Sequence, residues 1–145
     1  MSAPTFSLNP YLIFNGNCET AFVHYSKVFN LPITQISRFG EMPSNPKIQL
    51  SEIEANKIMH VCIPLANGTT LMGSDTNSSS EKISVGDNFS ISINATSVEQ
   101  ADNFFNKLSE NGMVKMQIEK TFWNAYFGML TDQFGINWMI NFDFE

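Results

Sequence analysis

FWNAYFGMLTDQFGINWMINFD, residues 122–143, decides how this chain is read. It reads as two strands joined by the tight turn Asp132-Gln133-Phe134-Gly135. An earlier stretch, HVCIPLANGTTLMGSD at residues 60–75, echoes it. Laid side by side, Gly68 falls on Gly135, Leu71 on Trp138 and Met72 on Met139. The earlier pair turns through Ala66-Asn67-Gly68, and Asn-Gly between apolar runs is the strongest short hairpin signal. The echo predicts a duplicated fold.

What lies outside the hairpins repeats as well. Residues 8–15 and 89–95 read as strands, the second alternating Phe89, Ile91, Ile93 and Ala95 with Ser90, Ser92 and Asn94. Each leads into a helical pattern. In the first, Ala21, Phe22, Tyr25, Val28 and Phe29 recur at helical spacing, Asn17 is the expected N-cap, and Asn30-Leu31-Pro32 ends the helix. In the second, Ser97 and Gln100 form a capping box, Ala101, Phe104, Phe105 and Leu108 make the apolar stripe, and Asn111-Gly112 closes it. A shift of 80 residues carries Glu19 onto Glu99, Ala21 onto Ala101 and Val28 onto Leu108. Further strands are expected near residues 33–39 and 114–119, and a polar loop at 41–47. The expected architecture is α+β: two tandem βαβββ modules, about 7–75 and 88–144, joined by a Ser/Asn-rich linker at 76–87 within one 145-residue domain. Each module buries one sheet face under its helix. The other faces are then free to curl around a shared cavity.

Composition narrows the function classes. The net charge is −6 with no Lys/Arg cluster, which disfavours nucleic acid, whose phosphates need neutralising. No run approaches the ~20 apolar residues of a membrane span. The first ten residues, MSAPTFSLNP, lack a basic region followed by an apolar one, so no signal peptide is expected. Cys18 and Cys62 are too few for a disulfide framework, which points to a reduced, cytoplasmic protein. Only 15% of residues are charged, so part of the surface is expected to be covered in an oligomer.

Three segments together resemble PhnB-like proteins of the vicinal oxygen chelate superfamily, which includes glyoxalases, bleomycin-resistance proteins and extradiol dioxygenases. They are Asn15-Gly16-Asn17-Cys18 running on to Phe29, Lys57-Ile58-Met59-His60 continuing to Leu71–Asp75, and Phe122-Trp123 through Trp138. The resemblance implies the glyoxalase/bleomycin-resistance fold and a homodimer. In enzymatic branches it also implies four metal ligands, from the first, fourth, fifth and eighth strands. Counted from the helix starts and the glycine turns, these fall near Pro10, Met72, Ser90 and Met139. None is a ligand for a hard or borderline divalent ion, and the neighbours Asn9, Leu71, Phe89, Ile91, Trp138 and Ile140 supply none. No metal and no cofactor are therefore expected. Some PhnB-like proteins carry a ubiquinone methyltransferase label, but no glycine-rich strand–turn–helix for a methyl donor is visible here.

The remaining chemistry is sparse. By alternation His60 shares a face with Ile58 and Cys62; it is the one imidazole on that strand face and reads as a general base or as a structural histidine. Asp75 is its conceivable orienting partner. Cys18, in the first helical turn, reads as a dipole-activated thiol or as a small buried residue, and His24 as a helix residue. His60, Met72, Ser90, Trp123, Tyr126 and Met139 make up the expected ligand-binding set. Trp138 is balanced between cavity and core, sharing a face with Ile136 and Ile140. Two functions follow. One is a metal-free small-molecule binding protein whose ligand is unspecified. The other is a metal-dependent lyase or isomerase of glyoxalase type, acting next to a carbonyl and needing an electrophile that these residues do not supply.

Overall fold

The alternating runs form eight strands in a computed structural model that describes residues 5–43, 46–47, 49–77 and 82–145. Parts of the expected 41–47 loop and 76–87 linker, residues 44–45 and 78–81, lie outside the described residues. The strands make two four-stranded mixed sheets, and with the helices the class is α+β. The chain divides into two compact units, Met1–Ile83 and Ser84–Glu145, at a point within residues 76–87.

In the first unit the order is β1 (Tyr11–Phe14), α1 (Cys18–Phe29), β2 (Gln35–Arg38), α2 (Glu52–Asn56), β3 (Ile58–Pro64) and β4 (Thr70–Asp75). The sheet runs β1-β4-β3-β2, with β1 parallel to β4 and the other pairs antiparallel. Leu12, Phe14, Val61, Ile63 and Leu71 are buried on the near face beneath α1, whose own stripe is Ala21, Phe22, Tyr25 and Val28. Burying each of the larger side chains stabilises the unit by roughly 1.5–3 kcal/mol. Phe22 meets Phe14 and Tyr25 edge to face, at 6.2 and 5.6 Å between centroids. The helix ends at Asn30, which takes the left-handed conformation at φ 53°.

Two local expectations change. Asn17 gives α1 no side-chain cap; Asp75, at the end of β4, supplies it from across the sheet. The other change is at Ile58. The pairing of β2 with β3 shifts between Ser37 and Arg38, and this bulge turns Ile58 into the core while His60 and Cys62 stay on the far face. The short helix α2 was not anticipated. Ser51 caps it by accepting from the Glu54 amide at 3.1 Å, a Ser-x-x-Glu signature legible in the sequence.

The second unit follows the same plan: β5 (Ile91–Asn94), α3 (Val98–Ser109), β6 (Met113–Lys120), β7 (Ala125–Thr131) and β8 (Asn137–Asp143), in sheet order β5-β8-β7-β6. The helices α1 and α3 are both 12 residues long. Ala101, Phe105 and Leu108 of α3 are buried, as are Ile118, Leu130, Trp138 and Ile140 of the sheet. Ser97 caps α3 through the Gln100 amide, while the Gln100 side chain accepts from Thr96 rather than from Ser97. In the β7–β8 turn Asp132 accepts from the Phe134 and Ile136 amides with one oxygen and from Trp138 Nε1, at 2.8 Å, with the other. That bond and an exposure of 2% make Trp138 a core residue.

Candidate functional site

Each helix covers one face of its sheet, and the side chains with chemical potential gather on the face turned away from it. In the first unit the strand register sets Tyr11 of β1, Met72 of β4, Cys62 of β3 and Gln35 of β2 side by side. In the next row Ile13 pairs with Ser74, and Ser37 with His60. The rings of Tyr11 and His60 stack at 5.9 Å between centroids and 30° between planes. Tyr11 is 45% exposed and His60 half-buried. His60 and Met72, both expected at the site, thus share one face. Tyr11 was missed, although its alternation with buried Leu12 and Phe14 was the signal for it.

Asp75 does not join them. Its carboxylate lies on the near face, 4% exposed, with one oxygen accepting from the Gly16 and Cys18 amides and the other from Ile58 N–H, all at 2.9–3.0 Å. It fixes the start of α1 and leaves His60 without it as an orienting carboxylate. Cys18 beneath it is fully buried, and burial, reinforced by the Asp75 and Glu19 charges, pushes its thiol far above the ordinary range. The activated-thiol reading therefore fails. His24 lies in α1 beside Tyr25, 6.1 Å between ring centroids.

On the far face of the second unit Ser92, Met139, Met129 and Met116 form one row across β5, β8, β7 and β6. Asn94, Asn141, Phe127 and Glu119 form the next. Trp123, 52% exposed in the β6–β7 turn, meets Phe122 and Phe127 edge-on at 4.9 and 5.9 Å. Tyr126 is elsewhere: it points to the α3 side, donating to Asp102 at 2.6 Å, and that hydrogen bond raises its phenol above the ordinary value. Ser90 precedes β5, and the residue paired with Met139 is Ser92. Two single-residue offsets account for this: Met72 pairs with Tyr11 rather than with Pro10, and the second strand slips by one residue against its helix. A shift of 80 carries Tyr11 to Ile91, whereas by pairing Tyr11 opposite Met72 corresponds to Ser92 opposite Met139. Met129, Met116 and Phe127, not anticipated, emerge only from this cross-strand register.

Over residues 7–141 the sequence matches the 3-demethylubiquinone-9 3-methyltransferase family. The chain belongs to that family. It is 32% identical to Protein YjdN of Escherichia coli strain K12 over 140 residues, 92% of this chain and 93% of that protein. The crystal structure of protein PA1353 from Pseudomonas aeruginosa is 36% identical, with a TM-score of 0.83 over 96% of this chain and 98% of the other. A protein from Bacillus cereus described as a putative 3-demethylubiquinone-9 3-methyltransferase, PhnB protein, superposes with a TM-score of 0.75 at 24% identity, over 94% and 99% of the two chains. A glyoxylase/bleomycin resistance protein/dioxygenase domain from Frankia sp. EAN1pec gives 0.66 at 8% identity, over 98% and 100%. The last two likenesses concern the fold, which is that of glyoxalase/bleomycin-resistance proteins, as the three sequence segments implied.

The β1–α1 turn does not fit a methyl donor, and the paired far-face positions do not fit a divalent ion. The glycine-bearing turn from β1 to α1, Asn15-Gly16-Asn17, has its Gly16 and Cys18 amides already engaged by Asp75 and so offers no cradle for a donor. For the ion, the far faces offer Tyr11 beside Met72 and Ser92 beside Met139, and neither pair holds an imidazole or carboxylate. Among the described residues no three of His, Cys, Asp and Glu come together as a metal group, and no helix is long and apolar enough to cross a membrane.

Proposed function

We propose that the chain is a small-molecule binding protein that holds an apolar, flat ligand on the far face of its first sheet without divalent-ion chemistry. The observation behind this is the Tyr11–His60 stack beside Met72 and Cys62, an apolar platform edged by one imidazole. Aromatic faces and polarisable sulfur favour flat apolar ligands, and a single hydrogen-bonding ring orients them. The far face of the second unit, with Met139, Trp123 and Phe127, carries similar side chains of its own. The family name speaks for methyl transfer and the fold for a metal-dependent lyase or isomerase, but both need a group that these residues do not hold.

The test has two arms. Metal content is measured by mass spectrometry before and after incubation with Mn, Fe(II), Co, Ni and Zn. The expected result is no stoichiometric retention; an ion retained at one per chain that raises the melting temperature would overturn the reading in favour of the lyase or isomerase. Binding is followed with anilinonaphthalene sulfonate as an apolar probe, expected to weaken in Met72→Glu and His60→Ala. Unchanged binding in both would remove the first-sheet platform from the reading. The reading also includes a cytoplasmic location, argued from the two unpaired cysteines, and a homodimer, supported by the low charged fraction and by Phe122, 98% exposed. Light scattering that gives a monomer mass at working concentration would count against the dimer.

A further inference from the structure

The far face of the second sheet carries thioether sulfur on three consecutive strands. Met139 of β8 stands directly opposite Met129 of β7, and Met129 directly opposite Met116 of β6. The pairing of β6 with β7 shifts on either side of Met116, so two bulges bring this methionine into register rather than a regular ladder. The corresponding pair in the first sheet, Cys62 opposite Met72, is again sulfur against sulfur. Of these five sulfur residues, Met72 and Met139 stand at two of the four expected metal-ligand positions, and the other three lie on the neighbouring strands.

Neighbouring strands lie about 4.8 Å apart, and methionine has three rotatable bonds, so the outer two side chains can lean over the middle one. Met116 is 45% exposed and Met129 and Met139 are half-buried, which leaves solvent access from one side. In the next row Glu119 and Phe127 stand opposite each other, putting one carboxylate and one aromatic face beside the sulfurs. Thioether sulfur is neutral and soft. It does not compete with protons, disfavours Mg and Mn, and lacks the thiolate, imidazole or carboxylate that Zn takes, so it favours monovalent copper.

We propose that Met116, Met129 and Met139 form a three-thioether site for a soft monovalent cation, Cu(I) by chemical class. The ion binds and leaves as Cu(I), with no change of oxidation state. This goes beyond the small-molecule reading and does not depend on it: Met72→Glu and His60→Ala test the first-sheet platform, and Met129→Leu tests the ion site on the second sheet.

The test uses the full chain labelled with carbon-13 at the methionine methyls, titrated with Ag(I) as a redox-inert probe and, anaerobically, with Cu(I) supplied as its acetonitrile complex. The Met116, Met129 and Met139 methyl signals are expected to shift together and saturate at one ion per chain, while those of Met42 and Met59 stay in place. Met129→Leu, close in volume, is expected to weaken binding by about tenfold or more because the middle donor is lost. Met59→Leu should change nothing. The inference is overturned if no saturable shift occurs, if Zn(II) moves the same signals, or if Cys62→Ser abolishes binding while Met129→Leu leaves it intact.

Discussion

Replacing Asp75 tests the structural reading at a single side chain. Its carboxylate accepts three backbone N–H groups, those of Gly16 and Cys18 at one oxygen and that of Ile58 at the other. The Cys18 and Ile58 amides are in buried hydrogen bonds and the Gly16 amide in a partly buried one, so water can replace only the last partner. A buried donor left unsatisfied costs about 1–3 kcal/mol, so Asp75→Ala should destabilise the protein by roughly 2–6 kcal/mol. Loss of the negative charge at the start of α1 falls within that range. Asp75→Asn is the sharper probe. Its amide oxygen can keep the Gly16 and Cys18 bonds, while its NH2 faces the Ile58 N–H donor to donor. The expected loss is about 2 kcal/mol, one orphaned donor plus part of the helix-terminus interaction. Urea unfolding measures the total, and amide hydrogen exchange resolves the atoms: in Asp75→Asn, protection at Ile58 should collapse while Cys18 keeps most of its own. Equal losses at both amides, or a destabilisation below about 0.5 kcal/mol, would refute the assignment of oxygens to donors. A functional partnership with His60 predicts the opposite pattern, lost ligand binding with stability intact.

Other outcomes are equally specific. Gly73→Ala would put a Cβ 2.5 Å from Phe22 Cε1, and Gly128→Ala one 2.8 Å from the Ile118 Cα; overpacking of this kind costs about 1–3 kcal/mol in urea unfolding. Both sites also meet backbone, Leu12 O at 2.9 Å from a Cβ at Gly73 and the Ile118 Cα beside Gly128, so Phe22→Leu should rescue Gly73→Ala only in part and Gly128→Ala not at all. Thiol titration with a disulfide reagent under native conditions should find Cys62 and not Cys18, whose thiol is buried and raised; two fast thiols would contradict this. Arg38 grips both Glu19 oxygens at 3.0 and 2.8 Å and holds that carboxyl below its usual range. The resulting stabilisation is present above the unfolded carboxylate value and lost as pH falls through the folded one. Glu19 is half exposed, so solvent screening limits the effect to about 0.5 kcal/mol. Arg38→Met should erase this acid dependence in low-salt urea titrations, and a difference that survives 1 M salt would count against the ion pair.

The elements of the fold were legible because their signals are local. The Asn67-Gly68 and Asp132–Gly135 turns, the two helical stripes and the Ser97 cap are short-range patterns, and each formed close to where the sequence put it. The short α2 had such a signal too, in Ser51 and Glu54, and was overlooked. What stayed hidden depends on pairing between distant strands. Alternation alone puts Ile58 with His60, but the β2–β3 bulge reverses it. Counting from the helices puts Pro10 and Ser90 at the ligand positions, but Met72 pairs with Tyr11, one residue on, and the second strand slips by a further residue against its helix, which gives Ser92. Tyr126 looked like a site residue because it is an aromatic on the right strand; face decides, and its hydroxyl answers Asp102 on α3. The α1 cap comes from Asp75, 57 residues beyond Cys18, which no capping pattern around Asn17 could indicate.

The two units also show how a repeat can keep its packing while changing its residues. In the row beneath α1, Leu12, Gly73 and Val61 lie side by side, and Gly73 is the gap that receives the Phe22 ring. Beneath α3 the corresponding row is Ile93, Ile140 and Gly128, and there the gap has moved one strand over to receive Phe105. Each helix presses an aromatic ring into its sheet, so each sheet needs one residue without a side chain. Which strand supplies it is free, provided the neighbour supplies the bulk, as Val61 does for Gly73 and Ile140 for Gly128. The near faces are therefore bound by volume, a constraint met jointly by three strands and a helix. The far faces carry no such tie. There Tyr11 corresponds to Ser92 and Cys62 to Met129, and only the methionines at 72 and 139 persist. Side chains on those faces could diverge without unfolding either unit, which is why chemistry is to be sought there and why Met72 and Met139, kept where nothing in the core demands them, are the residues to mutate first.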